Sequence, residues 1–197
     1  MAQQSTFLEE LMAAGRGVFG LLIGDKKAGG YFDFSRRGLY GSFIALVLVL
    51  ALGAFLPLIL SSEHDSAATS MVQLVVLYVG QVGFATIVLR QIKRMDALVP
   101  YLVGYNWLSF FVTLILAALN AAGIDGSYVI IVIGIAAIVL EVNVARILMT
   151  LSPLQIAMLL IAEIVGVALA ALLLTLIFPA SPDLAGQLAA ASAAAAQ

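Results

Sequence analysis

The chain contains no cysteine and only one histidine, His64. It therefore offers no disulfide framework, no thiolate metal site, no nucleophilic thiol and no multi-histidine metal cluster. Charge is also scarce. Asp, Glu, Lys and Arg make up 10% of the 197 residues, where a water-soluble domain carries about one quarter. Hydrophobic types make up 63% and the mean hydropathy is +1.15. Such a chain cannot wrap a water-facing surface around a core, so the composition places it in a membrane. The N-terminus does not read as a signal peptide, because Glu9, Glu10 and Arg16 interrupt its first apolar stretch and no basic leader precedes it. Gly24, Gly29 and Gly30 lack the Gly-Lys-Ser/Thr ending of a phosphate loop. Asp25, Asp33 and Asp96 are too scattered to hold a metal. With no nucleophile–base–acid set in view, no cofactor or metal is expected and the chain reads as non-enzymatic.

What is present is a series of five apolar runs, at 39–60, 71–89, 97–119, 128–149 and 153–178. Each approaches or exceeds the roughly 20 residues that cross about 30 Å of hydrocarbon. The segments between them are short and polar, and Ser152 with Pro153 has the form of a helix cap followed by a first-turn proline. The expected fold is all-α: a cytoplasmic segment over 1–38, a five-helix transmembrane bundle over 39–178 and a flexible Ala-rich tail over 179–197.

Positive charge falls on one side of this plan. Arg16, Lys26, Lys27, Arg36 and Arg37 precede the first span, Arg90, Lys93 and Arg94 lie between spans two and three, and Arg146 closes span four. Basic segments stay in the cytoplasm, which puts the N-terminus inside and the C-terminus in the periplasm of a bacterial-type inner membrane. Arg36, Arg37, Arg90, Lys93, Arg94 and Arg146 are read as interface anchors that attract anionic headgroups. The basic region near residue 30 is small and contains Asp25 and Asp33, which argues against nucleic-acid binding.

Ahead of the first span, Phe7, Leu8, Leu11, Met12, Val18, Phe19, Leu22 and Ile23 recur at helical spacing, with Glu9, Glu10 and Arg16 off the stripe. Thr6 and Glu9 stand at capping-box spacing. This is an amphipathic interfacial helix, either packed beneath the bundle or resting on lipid alone; the stripe does not separate the two.

Two carboxylates sit inside spans, where charge is costly. Glu141 lies 8 residues before Met149, and Glu163 lies 10 residues after Pro153. Both fall about 12–15 Å deep at a rise of about 1.5 Å per residue. Gln81 and Asn106 reach a similar depth from spans two and three, with Tyr105 and Asn143 within a turn. The four polar groups define an intramembrane layer. It is either a polar chamber that binds a cation or carries a proton, or a structural hydrogen-bond layer between helices. Arg146 reads better as an interface anchor than as the partner of Glu163. Gly80, Gly83, Gly134 and Gly166 read as packing faces where helices approach closely.

The segments YFDFSRRGLYGSF (31–43), VPYLVGYNWLSF (99–110) and VARILMTLSPLQIAMLLIAEIVGVAL (144–169) resemble a set of uncharacterised small multi-span proteins from alphaproteobacteria that carry a loose transporter label. The layout is also similar to that of the five-span Yip1-type membrane proteins, in which a cytoplasmic segment precedes five helices. The resemblance implies a polytopic membrane protein and brings no catalytic residues. The preferred function is a scaffold, assembly or lipid-organising module, with lipid and membrane-protein partners or a second copy as its contacts. A small transporter or channel subunit using the polar layer is the alternative, and an intramembrane enzyme lacks its residues. A reporter enzyme fused after Gln197 is expected to be active outside the cytoplasm and one fused at residue 93 inside it; the reverse pattern would overturn the topology.

Overall fold

A computed structural model describes residues 6–60, 67–124 and 126–178. The described residues are helical, with no strand among them. In order, they form α1 (Phe7–Leu22), α2 (Arg36–Leu60), α3 (Ala67–Gln91), α4 (Leu98–Ala121), α5 (Gly126–Asn143) and α6 (Pro153–Ile177). The helices α2 to α6 supply five candidate spans, long and apolar enough to cross a bilayer. This is a polytopic, all-α membrane protein. The tail over 179–197 and His64 lie outside the described residues.

Helix ends extend past the apolar runs. α2 starts at Arg36 rather than 39, and α3 at Ala67 rather than 71. Hydropathy marks the stretch that faces hydrocarbon, whereas backbone hydrogen bonding continues through polar residues at the surface. Local sequence sets several termini. Thr6 and Glu9 form a reciprocal capping box at α1, and Ser152 and Gln155 form another at α6, with Pro153 in the first turn. α1 ends where Gly24 turns to φ +74°, with Gly24 N–H donating to Leu21 O and Asp25 N–H to Gly20 O. α3 ends by the same double bond, but there the left-handed residue is Lys93 at φ +57°. α5 runs into a widened π turn over Val144–Leu148, with Met149 N–H reaching Val144 O.

The spans pair unequally. α6 lies along α3, α4 lies along α2, and α2 also packs on α3. α5 rests on α4 and has no extended contact with α6. Glycine explains the α3–α6 pairing. A Cβ on Gly80 would stand 2.7 Å from both the Ala170 Cβ and the Gly166 carbonyl oxygen, so the two backbones meet directly. Gly83 and Gly134, also expected at packing faces, have open space at the Cβ position and face away from neighbouring described helices. Depth and spacing alone did not show which way these two glycines turned.

α1 is packed against the bundle. It contacts α2, α4 and α5, and it buries Ala14, Gly17, Val18 and Leu21. Its seat on α4 is aromatic: the Phe7 and Trp107 rings lie 6.0 Å apart, and a Cβ on Gly15 would be 3.2 Å from Phe111. Its opposite face leaves Leu8, Met12, Phe19 and Ile23 exposed together with Glu9 and Arg16, a mixed surface of the kind that lies at a membrane interface. Where α1 meets α2, the Glu10 carboxylate is pressed over Gly41 with its Oε1 buried and without a hydrogen bond. Burial, and then the negative charge of Asp33, push the Glu10 carboxyl above the usual range, with Arg37 opposing.

Two outcomes follow. Gly166→Leu drives a side chain into the α3 backbone and is expected to cost about 1–3 kcal/mol, seen as a lower melting temperature in detergent, while Gly83→Ala is neutral; equal melting of the two variants would contradict the packing. Because the Glu10 pKa is raised on folding, the stability it confers is present below the unfolded value near 4.5 and is lost as pH rises through the folded value. Glu10→Gln is expected to flatten that decline in a pH series of thermal melts; an unchanged pH slope would contradict it.

Candidate functional site

The intramembrane polar residues are not joined in one hydrogen-bond network. They separate into three groups. In the first, Gln81 on α3 joins two other helices. Its Nε2 donates to Glu141 Oε1 on α5 at 3.3 Å, and its Oε1 accepts the Tyr105 hydroxyl of α4 at 2.6 Å. Gln81 is thus used at both ends, as a buried amide must be. Glu163 on α6, 4% exposed, borders the same space as Gln81 and Glu141.

The second group excludes Asn106 from the carboxylates. The Asn106 amide is fully buried, donates to Ser42 Oγ of α2 at 3.1 Å and accepts the Tyr78 hydroxyl of α3 at 2.9 Å. Ser42 in turn donates to Leu39 O. Asn106 and Tyr105 are sequence neighbours and so point about 100° apart around α4. Equal depth therefore places one against α2 and the other toward Glu141. Of the four residues expected at one depth, Gln81, Glu141 and Glu163 border one space, and Asn106 belongs to a separate α2–α3–α4 tie.

The third group anchors α1. Asn143 Nδ2 donates to Leu21 O at 2.7 Å, satisfying a carbonyl at the α1 C-terminus. Arg146 is exposed, and its guanidinium lies beside Gly24, 3.4 Å from where a Cβ would stand. A cation there opposes the negative end of the α1 dipole. Asn143 and Arg146 thus share a face, and that face meets the end of α1 rather than Glu163. Among the other basic residues, Arg36, Arg37, Arg90 and Lys93 are exposed. Arg94 is tied down. It pairs with Asp96 at 3.1 Å and donates to Met149 O at 2.8 Å and Thr150 O at 3.3 Å, clamping the α3–α4 connection to the α5–α6 connection.

Glu141 and Glu163 border two spaces. The larger is a cleft of about 610 Å³ between α5 and α6, whose apolar walls include Ile138, Leu160 and Ile164 and whose polar residues are Gln81 and the two carboxylates. It exists because α6 follows α3 while α5 follows α4. The smaller is an enclosed cavity of about 10 Å³, bordered by Tyr101, Tyr105, Glu141 and Glu163. Tyr101 is 2% exposed, and its hydroxyl is buried without a hydrogen-bond partner. It faces the Glu163 carboxylate.

Ser42, Tyr78 and Tyr101 were not singled out from the sequence. Tyr101 precedes Tyr105 by four residues and Tyr78 precedes Gln81 by three, so both share a helical face with a recognised polar residue. That spacing was the available signal. Chemically, the site can accept hydrogen bonds from a cation at membrane depth. Comparison with known proteins gave no match: no family model fits the chain, and no curated protein or solved structure is similar to it. Gln81→Leu leaves Glu141 and the Tyr105 hydroxyl without their shared partner and is expected to cost about 1–3 kcal/mol in a detergent melt, with Tyr105→Phe in that background adding little; full additivity of the two losses would contradict the bridge.

Proposed function

We propose that this chain is a non-enzymatic assembly module of a bacterial-type inner membrane, oriented with its basic end in the cytoplasm, that holds a membrane-embedded partner in the cleft between α5 and α6. The observation that carries the reading is the open cleft between α5 and α6 with two carboxylates on its lining. Ile138 on α5 and Leu160, Ile164 and Val167 on α6 give it apolar walls. An apolar helix or chain entering from the bilayer meets those walls first. The Yip1-type layout of an N-terminal segment and five spans fits such a module. The one-sided distribution of Lys and Arg supports the orientation.

A second reading, a small transporter or channel subunit, is favoured by the position of Glu141 and Glu163 on both the cleft and the enclosed cavity. Flux through liposomes that Glu163→Gln abolishes would establish it, and the assembly reading expects none.

The assembly reading is tested with a photo-crosslinking amino acid at Ile138, at Ile164 and, as a control, at Val47 on the outer face of α2. Irradiation of native membranes is expected to give a discrete protein adduct from residues 138 and 164 and none from 47. The same adducts from all three positions, or none from the first two, would contradict the proposal.

A further inference from the structure

We infer that the occupant of the α5–α6 cleft is a transmembrane helix of a different protein, carrying a lysine at the level of Glu141 and Glu163. The inference rests on the assembly reading and adds the partner's chemistry to it. Two carboxylates side by side in a low-dielectric interior can both carry charge only when a cation lies between them. The chain itself supplies none. Its nine basic residues all lie in α1, in the segments that connect helices or at helix ends, and Arg146 is turned to the end of α1. A second copy has the same distribution and so offers no cation at that depth either. Lipid ammonium groups stay at the headgroup level, and the carboxylates lie about 12–15 Å from the basic end by helix rise.

The hydrogen-bonding capacity left open at the site matches a lysine. Gln81 is used at both ends, by Glu141 and Tyr105. What remains is carboxylate oxygen on Glu141 and Glu163 and the buried Tyr101 hydroxyl, which has no partner. An ammonium has three N–H donors and no acceptor, and can give one to each of these three residues. A guanidinium carries five donors in a rigid planar fork, a poorer match to three separate residues. The apolar body of the partner helix lies against Ile138 and Ile164, and its lysine stem extends along Leu160 toward the carboxylates.

The test uses a synthetic hydrophobic helix of about 23 residues, rich in Leu and Ala, with one lysine at its centre. The full chain has no cysteine, so a donor dye on Leu176→Cys labels it at a single place, and peptide and protein are combined in phosphatidylcholine vesicles. Saturable energy transfer is expected with the lysine peptide, and only chance transfer with the same peptide carrying leucine or glutamate instead. The peptide substitutions leave the protein untouched, so misfolding cannot produce this result. Glu141→Gln with Glu163→Gln is expected to weaken association at least about tenfold, and Glu163→Lys is expected to accept the glutamate peptide. Equal binding of leucine and lysine peptides, or full binding by the double variant, would overturn the inference. So would transfer between two labelled copies of the chain that the lysine peptide does not displace, which would place a second copy in the cleft. If lysine makes no difference while the adducts at 138 and 164 persist, the assembly reading stands and its proposed chemistry falls. Loss of both removes both.

Discussion

Glycine at 80 and at 166 lets α3 and α6 meet backbone to backbone, and much of the bundle depends on that approach. No side chain stands between the two helices there, and Ala170 continues the small surface one turn further. α6 follows α3 and has no extended contact with α5. α5 is held instead by α4 and by the end of α1. The cleft is the space left by that choice. It exposes Glu141 and Glu163 to the apolar interior, where an unpaired charge is costly. Close packing on one face of α6 and an open polar site on the adjacent face thus stand side by side.

The rest of the polar chemistry serves to hold helices in place. Asn106 ties α2 and α3 to α4 through Ser42 and Tyr78. Asn143 ties α5 to the last turn of α1, and Arg94 joins two connections at the basic end. Each of these groups is satisfied within the chain. Tyr101 is not, and its hydroxyl sits beside the carboxylates. The contrast separates residues that stabilise the bundle from residues with bonding capacity still to offer.

The fold was largely legible in the sequence because its signals are one-dimensional. Runs of apolar residues marked five spans, Thr6 with Glu9 and Ser152 with Pro153 marked helix starts, and the apolar stripe marked α1. Residue counting also placed Gln81, Glu141 and Glu163 at a common depth, and the structure brings those three together. Azimuth was not legible. Asn106 shares the depth but points toward α2, since adjacent residues on a helix diverge by about 100°. For the same reason Gly83 and Gly134 could not be told from Gly80 and Gly166. Tyr78 and Tyr101 went unnoticed because a tyrosine in an apolar span reads as packing or as an interface anchor until its hydroxyl partner is known.

The central claim is that α5 and α6 stand apart with an open, lipid-accessible cleft between them. The most direct measurement places a nitroxide at Ile138→Cys and another at Ile164→Cys in the purified chain in nanodiscs, and compares collisions with oxygen, which partitions into lipid, against collisions with a polar nickel chelate. The account predicts mobile labels at both positions with high oxygen accessibility and little access for the chelate. Immobilised labels shielded from both reagents would mean that α5 and α6 close on each other, and would contradict it.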